Sequence, residues 1–431
     1  MSDAPYHGGC SNSHLLALVR AACIALVLTS SGASVKDVHP AIELLRPGGE
    51  WLTFGANRFG PLLLDSDLHA FSDANLLRGR ELYFQDWLEP PGGGNSLAGP
   101  DLDASTCAAC HVETQPASRG NGVRIAKPVL QAHRDRYGAQ LTQRVHGSLD
   151  PEAAHSVRWL KSEFTYANGD RQSLRMPAAT AQTRDGETIP IGLRTAPLLF
   201  GWGLIEQVPT AMLDAFHDPE DRDGNGISGM LGRSPEGVAI FGWKGSQHSL
   251  HGQISAALRN DMGVEAKPHA SHSADPEITD EDLQSITRYV AHLGVPQRRP
   301  VQEYQRGELL FGNVGCASCH VPALITTKGQ NEVFSDQLIW PYSDLALHDM
   351  GPALSDPGDA PDASEWRTAP LWGLGIAEAR LPERGFLHDG RAANLEEAIL
   401  WHGGEAEPAR DRFATLTRED REILLAFVRS L

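Results

Sequence analysis

The sequence predicts a mainly α protein, a tandem pair of small helical domains with long loops, the first copy carrying large insertions. Three observations predict it. Pieces of the chain recur in order at a steadily falling offset, both copies close on an amphipathic helix with a threonine cap, and each copy holds one Cys-x-x-Cys-His string. A chain of 431 residues has ample core for two such units. Its 43 glycines and 28 prolines supply the loops.

The first element is a leader. The run from Leu15 to Val19 is broken by Arg20 and resumes from Ala21 to Leu28, before small residues ending near Ala33. A positive charge, a short apolar core and a small-residue end make a secretory signal, with a core too short to span a bilayer. The expected division is a signal peptide at 1–33, a first domain at 34–296 and a second at 301–431. The product is then exported, periplasmic or otherwise outside the cytoplasm, and soluble. Cys10 and Cys23 fall in the leader, so the mature chain keeps four of six cysteines.

The repeat sets the remaining elements. Arg80-Glu81-Leu82-Tyr83-Phe84 matches Gly307-Glu308-Leu309-Leu310-Phe311 at an offset of 227. Arg194-Thr195-Ala196-Pro197-Leu198 returns verbatim as Arg367-Thr368-Ala369-Pro370-Leu371, at 173. Phe241-Gly242-Trp243-Lys244-Gly245 aligns with Phe386-Leu387-His388-Asp389-Gly390 at 145, and the segments opening at Ile278 and Leu416 align at 138. Offsets that only fall mean one duplicated domain whose first copy carries the insertions. Each closing segment has a Thr cap and an acidic first turn, and the first sets Leu283, Ile286, Tyr289, Val290 and Leu293 at helical spacing.

Between opening and closing helices lie Cys107-Ala108-Ala109-Cys110-His111 and Cys316-Ala317-Ser318-Cys319-His320. Two thiols one helical turn apart reach both vinyl groups of a haem, and the next residue delivers an imidazole to the iron. Other readings of the same residues are a thioredoxin-like redox pair, which needs a strand-to-helix context, and a zinc site, which leaves each histidine unexplained. A small helical domain that opens with a helix, presents this string and closes with an aromatic-bearing helix follows the cytochrome c plan. Two covalent c-type haems are the expected cofactors.

The net charge of −18 argues against nucleic acid and anionic membrane as partners, since both would repel it. A basic electron-donor protein or a small redox carrier suits it better. After leader cleavage no membrane span remains.

Longer strings carry a resemblance. They are Asp223-Gly224-Asn225-Gly226-Ile227-Ser228, Phe241-Gly242-Trp243-Lys244, Asp261-Met262-Gly263, Pro341-Tyr342-Ser343-Asp344, His348-Asp349-Met350-Gly351-Pro352, Glu365-Trp366-Arg367-Thr368, and Phe386 to Arg391 through Leu400-Trp401-His402-Gly403-Gly404-Glu405. On these the chain resembles the di-haem c-type oxidoreductases, the superfamily of bacterial di-haem cytochrome c peroxidases and of the methylamine-utilisation di-haem enzyme. Within it, the branch called di-haem oxidoreductase or thiol-oxidoreductase-like is the nearest.

The resemblance implies unequal haems, one low-spin with two protein ligands and one with an open face for peroxide. His402 lies fourteen residues after His388, where the superfamily places the distal ligand, and would sit opposite His320. Met350 and His348 are its rivals. The counterpart of His402 at offset 145 is Ala257, so the His111 haem would be the open one unless His133, His146 or His155 closes it. Trp243 matches the superfamily's tryptophan between the haems, with Lys244 in place of an Asp. Asn260-Asp261-Met262-Gly263 matches a string that holds a catalytic Glu, two residues shorter and with Asp instead. Asp261 is therefore the candidate acid/base, taking the proton from bound peroxide and returning it to the leaving oxygen. The implied activity is peroxidase-like, with a small oxidant such as hydrogen peroxide as substrate. A pure electron-transfer cytochrome and a thiol-oxidising or oxygenase-type enzyme on the same scaffold are the alternatives.

Finally, Asp221-Arg222-Asp223-Gly224-Asn225-Gly226 fits the first half of an EF-hand loop, making Asp221, Asp223 and Asn225 candidate calcium ligands. The twelfth position is Gly232 rather than Glu, and a plain Asx-rich turn is the other reading. Arg194 and Arg367 could pair with haem propionates or simply pack.

Overall fold

The computed structural model describes residues 52–53, 73–88, 101–102, 104–111, 124–128, 130–137, 140–141, 144–145, 153–267, 277–299, 301–327, 332–357 and 362–431. The leader at 1–33, with Cys10 and Cys23, lies outside them, as does His146.

The content is 38% helix and 20% strand, so the fold is mixed α and β and the mainly α expectation is corrected. The strands come largely from the inserted residues of the first half. Arg124–Pro128, Thr188–Thr195, Arg171–Thr183 and Ala153–Thr165 lie side by side in that order as one antiparallel sheet. The two longest are strands of 13 residues. Their sequence alternates polar and apolar positions, and Asn168-Gly169 and Asp185-Gly186 turn the chain at positive φ on each glycine (85° and 86°). Those dipeptides are hairpin signals, and a helix-centred reading passes over them.

The long hairpin leans on the second half of the chain. Tyr166 Oη donates to Glu396 Oε1 (2.8 Å), Arg175 N donates to Glu397 Oε1 (2.7 Å), and the Arg421 guanidinium lies over the Tyr166 ring. Tyr166 and Leu174 are buried in the core that Phe311, Tyr342, Phe413 and Phe427 form. A second core gathers around Tyr83, Trp202, Phe241 and Tyr289, and Trp372 enters it from the far end of the chain.

One helix crossing recurs. Ala74–Phe84 packs on Asp280–Ala291, and Tyr304–Val314 packs on Arg418–Ser430. Each contact is made on a glycine. A Cβ on Gly79 would stand 1.9 Å from the Ser285 carbonyl oxygen, and one on Gly307 would stand 2.6 Å from the Phe427 Cβ. Because Tyr289 and Phe427 are partners at offset 138, the glycines must be partners too. The opening helices therefore align one residue further along than the sequence match placed them. Under that register Tyr83 and Phe311, both buried, become equivalent. Thr279 and Thr417 cap the closing helices by accepting from Asp282 N and Asp420 N.

The two Arg-Thr-Ala-Pro-Leu strings meet the other half of the molecule. Thr195 N donates to the His388 carbonyl (2.7 Å), while Arg367 N donates to the Trp243 carbonyl (3.0 Å) and its Nε to that of Gly242 (2.9 Å). Arg194 and Arg367 pack inside: Arg194 pairs with Asp356, and Arg367 lies over the Trp202 ring, burial lowering its pKa to about 10. Among the described residues no helix is long and apolar enough to cross a membrane.

Candidate haem sites

Both Cys-x-x-Cys-His strings fold alike. Thr106 caps the single turn Cys107–Cys110 by accepting from Ala109 N (3.0 Å), and His111 N donates to the Cys107 carbonyl (3.0 Å). In the second string Gly315, at φ 99°, admits the chain, and His320 N donates to the Cys316 carbonyl (2.9 Å). This winding puts both sulfurs within one turn and sends the imidazole on.

The imidazoles are oriented in the same manner. His111 Nδ1 lies 3.0 Å from the Pro197 carbonyl oxygen and His320 Nδ1 lies 2.9 Å from that of Tyr342. A proton shared with a carbonyl fixes Nδ1 as donor and leaves Nε2 as the metal-facing lone pair. Burial pulls both histidines down to about 4, so each is neutral, and pushes the Cys107 and Cys316 thiols up to about 12.

Opposite His320 stands His402, with its Nδ1 turned back to the Ala398 carbonyl (2.8 Å). The two ring centroids are 6.4 Å apart. An iron bonded to both at roughly 2.0 Å per metal–nitrogen bond, with each ring centre about 1.2 Å further out, needs about 6.4 Å. The gap therefore fits a bis-histidine iron, and both rings line a cavity of about 390 Å³ together with Cys316, Cys319 and Met350. The rival His348 has neither nitrogen to spare, since Nε2 lies 2.9 Å from Asp344 Oδ2 and Nδ1 lies 2.8 Å from Glu405 Oε2. Burial works against its charge, but those carboxylates and Cys319 outweigh burial and hold its pKa well above the ordinary value.

The first half lacks this opposing histidine at the matching place. Ser249 and Asn394 cap the helices Leu250–Met262 and Leu395–Leu400, and isolated bridges join Phe241 to Gln247 and Phe386 to Ala392, all at offset 145. The position of His402 is thus filled by Ala257. His133 Nε2 sits 3.4 Å from Glu187 Oε1, while burial pulls His155 down to about 4.

Asp261 is in the last turn of Leu250–Met262, which Gly263 ends in the left-handed conformation. Its charge is felt at Cys107, its backbone oxygen accepts from Ala104 N, and its side chain hydrogen-bonds Gln140. Burial raises its pKa against that hydrogen bond and the nearby Lys127. The carboxyl therefore stands beside the first haem-attachment turn.

Trp243 is half-buried and lines the cavity with His320. Its Nε1 donates to the Thr195 carbonyl (2.8 Å), two residues before the Pro197 carbonyl that holds His111. The indole is therefore tied through its N–H to the segment whose Pro197 carbonyl holds His111, while its ring lines the cavity that His320 also lines. Lys244 locks the next position through three carbonyls, those of Asp362, Ala363 and Glu365, and its ammonium lies 3.7 Å from the Trp366 ring centre. Trp366 stacks face to face on His388 at 3.5 Å. Trp366 and His388 lie in separate strings of the sequence, and nothing local to either pairs them.

In the acidic loop, Asp221 Oδ1 accepts from Asn225 N (2.9 Å) and Gly226 N (3.2 Å), and Asp223 Oδ1 accepts from Asn225 N (3.1 Å). Asn225 lines the large cavity, so the loop borders the second haem site.

The chain thus holds two Cys-x-x-Cys-His turns, the second facing His402, whose counterpart at offset 145 in the first half is Ala257. Residues 266–431 match the model of the family described as "Di-haem oxidoreductase, putative peroxidase". The matched stretch includes Cys316, Cys319, His320 and His402. Among solved structures the chain is similar to the diheme peroxidase BthA from Burkholderia thailandensis, at 16% identity over 83% of this chain and 85% of that one, with a TM-score of 0.31. No curated protein matches.

Proposed function

We propose that the chain is an exported di-haem c-type oxidoreductase of peroxidase-like type, taking electrons in at the second site and reducing a small oxidant such as hydrogen peroxide at the first. Cys107, Cys110 and His111 would hold one haem, and Cys316, Cys319, His320 and His402 the other. When bound, these groups supply single-electron chemistry at iron. The chain's own residues do the rest. The Pro197 and Tyr342 carbonyls hold the proximal tautomers, Trp243 spans the gap between the sites, and Asp261 moves protons at its carboxylate. Reduction of one hydrogen peroxide to two waters takes two electrons and two protons, so a proton-handling group beside the first site matches the demand. The leader at 1–33 accounts for export, and the −18 balance favours a basic donor protein.

The observation that carries the reading is the contrast between His402 and Ala257 at one repeat position. Electron paramagnetic resonance of the oxidised protein tests it. The expected result is one low-spin signal and one axial high-spin signal that moves on adding cyanide. Two purely low-spin signals would leave an electron-transfer cytochrome and sink the enzyme reading.

We further assign calcium to the loop of Asp221, Asp223 and Asn225, whose oxygens alternate along a tight turn. Calorimetric titration of chelator-treated protein with calcium chloride should give a binding isotherm that Asp221→Ala with Asp223→Ala abolishes. A flat titration of the wild type leaves a plain turn.

A further inference from the structure

We propose that Ser228, Glu405, His348 and Asp344 form a buried brace that ties the turn after His402 to the Cys316–His320 string, making Glu405 and His348 positioning residues for the second haem. The proposal rests on the reading of His402 as distal ligand. A sixth ligand holds only if its backbone is kept at the right distance from the proximal one, and here the two backbones belong to segments some eighty residues apart in sequence.

The hydrogen bonds run without a break. Asp344 N donates to the Cys319 carbonyl (3.0 Å), one residue before His320. Asp344 Oδ2 meets His348 Nε2 at 2.9 Å, and His348 Nδ1 meets Glu405 Oε2 at 2.8 Å. Glu405 lies three residues after His402, and its other oxygen accepts from Ser228 Oγ of the first half (2.5 Å). Asp344 and His348 are 2% and 4% exposed, and the Glu405 side chain 9%. The chain therefore reaches round the haem gap from proximal to distal side within the interior.

Packing of the backbone supports the same conclusion independently. The His402-Gly403-Gly404 turn lies directly on the end of the strand Leu347–Asp349 that carries His348. A Cβ on Gly404, at φ 54°, would stand 2.2 Å from the Asp349 carbonyl oxygen, and one on Gly403 would stand 3.0 Å from that of Met350. The paired glycines let the turn close on the strand, and Glu405 then reaches His348. A brace also explains why a histidine this near the haem site has both nitrogens engaged.

The test uses the holoprotein carrying two haems per chain, counted by pyridine haemochrome. Glu405→Ala removes the central acceptor, Glu405→Gln keeps an acceptor for Ser228, and Ser228→Ala removes only the outermost bond. Losing a hydrogen bond to a charged group should move the His402 on/off equilibrium about ten- to a hundredfold. Glu405→Ala should therefore show high-spin character at the second haem and cyanide binding there faster by that factor, with Glu405→Gln restoring most of the low-spin signal. Ser228→Ala should show a smaller shift in the same direction, and this variant decides the matter if Glu405→Ala does not assemble. Variants indistinguishable from wild type, beside a His402→Ala protein that is high-spin, would overturn the brace alone. A His402→Ala protein with the wild-type spectrum would overturn the ligand assignment beneath it.

Discussion

Replacing His402 by alanine should convert one haem per chain from low-spin to high-spin and leave the other unchanged. The separation of 6.4 Å between the His320 and His402 rings accommodates one iron with two imidazoles and little else. His402 Nδ1 is tied to the Ala398 carbonyl, so its free Nε2 is the only ring nitrogen that can face the gap. Truncation at Cβ empties that side without disturbing the cap at Asn394 or the helix before it. Free imidazole added to the variant should enter the vacated space and restore the low-spin signal. Wild-type spectra from the variant would pass the ligand role to Met350, which lines the same cavity. His402→Met is the graded companion: a His/Met iron should remain low-spin but at a higher reduction potential, measurable by redox titration.

How much of this was legible beforehand depends on the kind of signal. Cys107, Cys110, His111, Cys316, Cys319 and His320 form the two matching turns that their spacing predicts, because that winding is local, needing one helical turn and nothing from elsewhere. The closing helices were legible for the same reason, their caps and apolar stripes lying within a dozen residues. The sheet was not, because the reading followed the repeat, and the strands Ala153–Thr165 and Arg171–Thr183 fall in residues the second copy lacks. The one-residue error at the opening helix has another cause. Composition aligned Phe84 with Phe311, but glycine crossing decided the register. At the sites, the Pro197 and Tyr342 carbonyls left no trace in the sequence, since any residue has a carbonyl. In the sequence His348 is a histidine close after a Cys-x-x-Cys-His string, which makes it a rival ligand. Only the positions of Asp344 and Glu405 showed that it is already engaged.

The second large effect belongs to Asp261. Asp261→Ala should lower peroxide turnover by about 10²- to 10⁴-fold, the usual contribution of a positioned acid/base, while both haem spectra persist. Asp261→Asn should be nearly as damaging, because an amide keeps the shape and the Gln140 contact but cannot exchange a proton. The pH profile adds a sign. Burial, opposed by Gln140 and Lys127, leaves the folded pKa above the ordinary aspartate value of 3.8. As a base the group acts ionised, so kcat/KM should fall as pH drops through that raised pKa, and the acidic limb should lie above the range of a solvent-exposed aspartate. In Asp261→Asn that limb should vanish and the residual rate run flat. Asp261→Glu returns the carboxyl type that the resembling superfamily uses, but on a loop two residues shorter, and should recover part of the rate. Turnover of Asp261→Ala equal to wild type, with the acidic limb intact, would remove the residue from the chemistry. The position beside Cys107 would then reflect packing of the helix end against the attachment turn, which the Ala104 N to Asp261 carbonyl bond provides without its side chain.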